Sequence, residues 1–126
     1  MGLDQFAIKT KLKPSNEVDF GEEVYNEGVE REEIQCWRKH PDLHGWMENL
    51  YFEKGGGQVF NCTPVILTLQ DLDNLEEAIR DRALPKTSGF FFGESDDKRA
   101  ADDLEFIKDA REAINEGYTV FYDSWW

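Results

Sequence analysis

Both histidines, one of two cysteines and two of four tryptophans fall within Cys36-Trp37-Arg38-Lys39-His40-Pro41-Asp42-Leu43-His44-Gly45-Trp46. The pair Arg38-Lys39 sits there in a chain of formal charge -13. A basic, aromatic cluster in an acidic protein suits a flat anionic ligand. Pro41 is placed for the first turn of a helix, whose free N–H groups carry partial positive charge. Arg38, Lys39 and His44 would hold a phosphate there, and Trp37 or Trp46 would stack on a base. Asp42 competes for the same helix end. The opposing reading makes Trp46 a core residue and Arg38-Lys39 a counterweight to neighbouring acids.

Two other chemistries are weaker. Cys36, His40 and His44 are spaced by four, but Pro41 interrupts the helix that would align them, and structural zinc normally shows four clear ligands. No metal or other cofactor is therefore expected. Either cysteine with a histidine, or Ser124 beside Asp123, would permit nucleophilic catalysis, yet no strained nucleophile turn marks them. The expectation is a non-enzymatic binding protein.

The elements that must position this cluster follow from periodicity. Leu3, Phe6, Ile8 and Leu12 alternate with polar residues as an opening strand. The stretch 17–33 holds eight acids and one base, Arg31, and reads as a solvated loop or excursion. Ile34–Arg38 is a short strand. Leu43, Trp46, Met47, Leu50 and Tyr51 recur at helical spacing, and Gly55-Gly56-Gly57 ends that helix. Val59–Leu67 is a strand region that Pro64 confines to an edge or bulge.

Thr68-Leu69-Gln70-Asp71 resembles a capping box and opens a second helix. Gly89-Phe90-Phe91-Phe92-Gly93 is a brief strand, and Asp96-Asp97 start a third helix that ends at Gly117. Tyr118–Tyr122 is the last strand. The order β-β-α-β-α-β-α-β over residues 1–126 implies one compact α+β domain with a mostly antiparallel sheet. Surplus aromatics, with Phe91 and Trp125 as examples, suit a ligand wall or a seam between two copies.

Charge narrows the partners. A pI near 4.4 argues against direct nucleic-acid binding, which needs clustered Lys and Arg. It fits carboxylates that imitate nucleic acid in a basic groove of another protein. No apolar run is long enough to span a bilayer, and the start lacks a signal-peptide pattern, so a cytoplasmic protein with reduced thiols is expected.

Four segments in order resemble a family of small bacteriophage and prophage proteins: Met1-Gly2-Leu3-Asp4, Trp37-Arg38-Lys39 with His44 and Trp46, Ser88–Gly93, and Tyr122-Asp123-Ser124-Trp125. Gln5 and the acidic stretch from Glu17 depart from that pattern. Members sometimes carry a phosphoglycerate kinase label, which does not suit a chain this short with no Gly-rich phosphate loop. The resemblance implies a phage accessory protein acting inside the host cell, with no activity to carry over. The joint expectation is interference with a host component, first by capturing a small nucleotide-like anion at Trp37, Arg38, Lys39, His44, Trp46, Phe91 and Trp125. The alternative is acidic inhibition of a host protein with a basic surface.

Overall fold

The computed structural model describes residues 2–86 and 99–126. The chain runs β1 (Asp4–Thr10), α1 (Gly21–Val24), β2 (Glu32–Arg38), α2 (Pro41–Glu53), β3 (Val65–Leu67), α3 (Leu69–Arg80), α4 (Arg99–Asn115) and β4 (Thr119–Trp125). The four strands form one antiparallel sheet in the order β2-β1-β4-β3. The α+β expectation is met. The expected strand at 89–93 and the helix start at Asp96-Asp97 lie outside the described residues.

Strand pleating divides the sheet into two faces. On the inner face, Ala7, Trp37, Val65, Leu67, Val120 and Tyr122 pack against α2, α3 and α4 through Leu43, Met47, Leu72, Leu75, Phe106 and Ile107. The outer face carries a smaller cluster of Phe20, Val24 and Phe121, joined by Ile8, Leu12 and Ile66. Phe20 meets Phe121 edge to face at 5.4 Å.

That outer cluster corrects the reading of 17–33 as a solvated excursion. Val18, Phe20 and Val24 are buried, and residues 21–24 form α1, while most of the acids between them face water. Phe20 and Val24 on the outer face, with Val18 in the main core, are enough to pin the segment once the sheet is there to receive them. Val18 bridges Val65, and Ile66 N–H donates to Glu17 O at 2.9 Å, so the free edge of β3 is covered. The β2 edge has no such cover among the described residues.

Local signals set the helix ends. Thr68 caps α3 with Asp71 reciprocating, the full capping box. Lys54, after α2, reaches Glu17, Asp71 and the Ile66 carbonyl at 3.2, 2.6 and 2.6 Å, joining three segments through one ammonium. Gly56 lies against the Tyr51 ring so closely that any Cβ would collide with it at 2.2 Å. The last strand is longer than expected, running to Trp125, because Asp4 to Thr10 of β1 pair with its whole length.

Candidate functional site

The sequence cluster is taken apart by its own backbone. Lys39 adopts a positive φ of 56° and bends the chain between β2 and α2. Lys39 N–H donates to Leu3 O at 2.8 Å. Gln5 then clamps the next residue from both sides: its amide accepts from His40 N–H at 2.9 Å and donates to His40 O at 3.0 Å. Arg99, at the head of α4, donates to the carbonyls of Arg38 and Lys39. The bend throws Arg38 and Lys39 outward and turns His40 into the core.

Inside, Asp103 collects two donors. His40 Nε2 lies 2.8 Å from Asp103 Oδ2, and Trp37 Nε1 donates to Oδ1 at 2.9 Å. All three residues are buried. The Trp37 ring stands edge-on to Phe106, with centroids 5.0 Å apart. A carboxylate can only accept, so His40 carries its proton on Nε2 in this arrangement. Both Asp103 oxygens are thereby satisfied, as a buried carboxylate requires.

One helical turn on, His44 Nδ1 meets the Tyr122 hydroxyl at 2.9 Å, and its ring lies on Phe60 at 4.9 Å. Burial pushes the imidazole down to about 4, so it is neutral at physiological pH. Tyr122 is held well above the ordinary phenol value by burial first and by the Asp123 charge, with Gln5 and Ser124 acting the other way. Ser124 Oγ, although near that phenol, makes no hydrogen bond of normal geometry, nor does Thr63 Oγ1; both are buried.

The outer face holds the rest. In register, Arg38, Asp4 and Trp125 form one cross-strand row. Arg38 and Trp125 are largely exposed, and Arg38 Nε is 3.7 Å from Asp4. Cys36, Phe6 and Asp123 form the next row, where Tyr25 OH donates to Asp123 Oδ2 at 2.5 Å. Burial raises the Asp123 carboxyl, against the pull of that bond. Trp46 is separate again, half-buried in a groove between α2 and α3.

The anticipated anion-site residues are therefore split: Trp37 and His44 inside, Arg38, Lys39 and Trp125 outside, Trp46 on a flank. Phe91 lies outside the described residues. The start of α2 is itself enclosed, with Pro41, Leu43 and His44 buried. Cys36 is exposed while His40 and His44 point inward, and no group of three or more metal-type side chains is assembled among the described residues. Burial and the Asp123 charge raise the Cys62 thiol, which disfavours the thiolate a nucleophile needs.

The open β2 edge forms a second candidate site. Lys9, Glu32, Glu33, Ile34, Asp109, Glu112 and Glu116 line a groove of about 290 Å3 between β2 and α4. Glu105, Asp109 and Glu112 follow i, i+4, i+7 along α4, and Glu116 continues that stripe just past its end. Lys9 pairs with Glu32 at 3.4 Å. Among the described residues no cation forms a salt bridge with Glu33, Asp109, Glu112 or Glu116. The stripe was visible in the sequence, but its meeting with Glu32 and Glu33 depends on long-range packing.

Comparison with protein-family models, curated proteins and solved structures finds no match. Among the described residues no helix is long and apolar enough to cross a membrane. Fold and sites define a small antiparallel α+β protein with an enclosed polar core, one charged open edge and an acidic surface.

Proposed function

We propose that this is a non-enzymatic interaction protein whose acidic β2–α4 groove occupies the basic, nucleic-acid-binding surface of a protein partner. The observation that carries the reading is the row Glu33, Asp109, Glu112 and Glu116, in no salt bridge among the described residues, at a strand edge uncovered by them. Like charges at helical neighbour spacing cost stability, so a complementary partner would relieve a strain built into the free protein. The phage-family resemblance makes that partner a host component in the cytoplasm. Immobilised protein is exposed to bacterial lysate, and retained DNA-binding proteins are purified and tested for release of labelled duplex DNA. Competition by the wild type, steeply weakened by salt and lost in the combined Glu33→Gln, Asp109→Asn, Glu112→Gln, Glu116→Gln variant, supports the reading. Equal competition by that variant overturns it.

A second reading keeps the small anion, now on the outer face. Arg38 and Trp125 flank Asp4 two strand spacings apart, roughly 10 Å, a span that suits a ring on Trp125 with its phosphate at Arg38 and Lys39. Asp4 between them opposes an anion, which ranks this reading second. A melting-temperature rise with a nucleotide, cyclic dinucleotide or ADP-ribose that disappears in Arg38→Ala would reverse the ranking.

A further inference from the structure

At the end of the sheet remote from His40, a cavity of about 470 Å3 opens between the β3–α3 junction and the α4–β4 turn. Its walls are Ile66, Leu67, Leu69, Ile114, Tyr118 and Val120, with Lys13 and Pro14 at one side. Leu69 stays substantially exposed there although it begins a well-capped helix. The rim is the opposite of the β2–α4 groove in charge. Lys11 places its ammonium group 4.0 Å from the Tyr118 ring centroid. Lys11 and Lys13 bond the Glu116 and Gly117 carbonyls at 3.1 and 3.3 Å, which holds two lysines beside the Tyr118 wall of the cavity.

The geometry points to a binding site for a fatty carboxylate, its chain along Leu69, Ile114 and Tyr118 and its head at Lys13 and Lys11. Cavities of this size with mostly apolar walls and a few convergent polar groups are the ordinary form of small-ligand sites. A peptide is a poorer occupant, because its backbone N–H and C=O groups would need partners that these walls scarcely offer. The Thr68 hydroxyl already serves Asp71. A hydrocarbon chain needs none. The proposal is independent of the acidic groove, since no residue is shared between the two linings.

The test is a backbone-amide NMR titration of the whole chain with octanoate, decanoate and dodecanoate below their micelle concentrations, and with 1-decanol. The expected result is shifts centred on residues 66–70 and 114–120, with affinity rising up to roughly fourfold per added methylene. Lys13→Gln should weaken decanoate by up to about fivefold while leaving 1-decanol unchanged, the size of an exposed charge contact. Leu69→Glu, at an exposed position that folding does not need, should abolish binding of both. Moderate salt should not weaken decanoate strongly, because screening also lowers the repulsion from a net -13 chain. Affinity independent of chain length, shifts scattered over the surface, or undiminished binding by Leu69→Glu would each overturn the site.

Discussion

Each face of the sheet buries one carboxylate against an aromatic donor, yet the two are built differently. Asp103, under the helices, takes Trp37 and His40 on its two oxygens and is 1% exposed. Asp123, on the other face, takes the Tyr25 hydroxyl and its neighbour's Ser124 N–H, beneath a thin cover ending in α1. Asp103, on α4, joins the end of β2 and the bend that follows it, 66 and 63 residues away. Asp123 fastens one short acidic segment. Both reach far along the chain, Asp123 by 98 residues to Tyr25, so the difference lies in what is tied: Asp103 holds the packed core, Asp123 the outer cover.

The largest expected effect separates the two directly. Asp103→Ala strips the partner from two buried donors and should cost about 3–5 kcal/mol in urea unfolding. Asp123→Ala should cost clearly less, and equal losses would break the comparison. Asp103→Asn should fall between, since its amide oxygen can still accept from Trp37.

The next effect is in pH. His44 has a folded pKa of about 4 against a usual 6.5, so the fold favours its neutral form. Its contribution is complete above pH 6.5 and is lost as pH falls toward 4, on the order of 3 kcal/mol. Asp123 is shifted upward, so its contribution is complete below its ordinary value of 3.8 and is lost as pH rises through its folded pKa. The two faces thus respond to acid with opposite signs. His44→Phe should flatten the acid side of a melting-temperature profile, and a profile unchanged by that substitution would contradict the assigned burial.

Smaller still, Tyr25→Phe should cost about 1 kcal/mol, the net value of a single hydrogen bond. It should also raise the Asp123 carboxyl further, which is readable by carbon-13 NMR titration. The smallest effect concerns the open edge. Glu112→Gln should stabilise the free protein by a few tenths of a kcal/mol, because it removes like-charge neighbours at Asp109 and Glu116. Added salt should narrow the difference between variant and wild type.

What could be read in advance follows the range of the interactions. Thr68 with Asp71, Pro41, Gly117 and the apolar spacing of α2 act within one or two turns, and those elements formed where expected. The partners of Trp37 and His40 stand 66 and 63 residues away at Asp103, and His44 finds Tyr122 at a separation of 78. Spacing within the Cys36–Trp46 cluster carries no trace of them. It made neighbours in sequence look like neighbours in a site, where a positive φ at Lys39 sends them to opposite sides. Val18, Phe20 and Val24 were obscured for a related reason: scattered among eight acids they show no period, and only the Phe121 face of the sheet, for Phe20 and Val24, and the β3 edge, for Val18, reveal their use.

Lys54 offers a consequence for labelling chemistry. Its ammonium is nearly enclosed and bound on several sides, whereas Lys11, Lys13 and Lys86 are exposed at the surface. In the native protein it should be among the slowest lysines to take up an amine-reactive reagent. Once it is acylated, the β3 edge, the capped helix and the acidic segment lose their common anchor together, so modification at Lys54 should report unfolding rather than surface access.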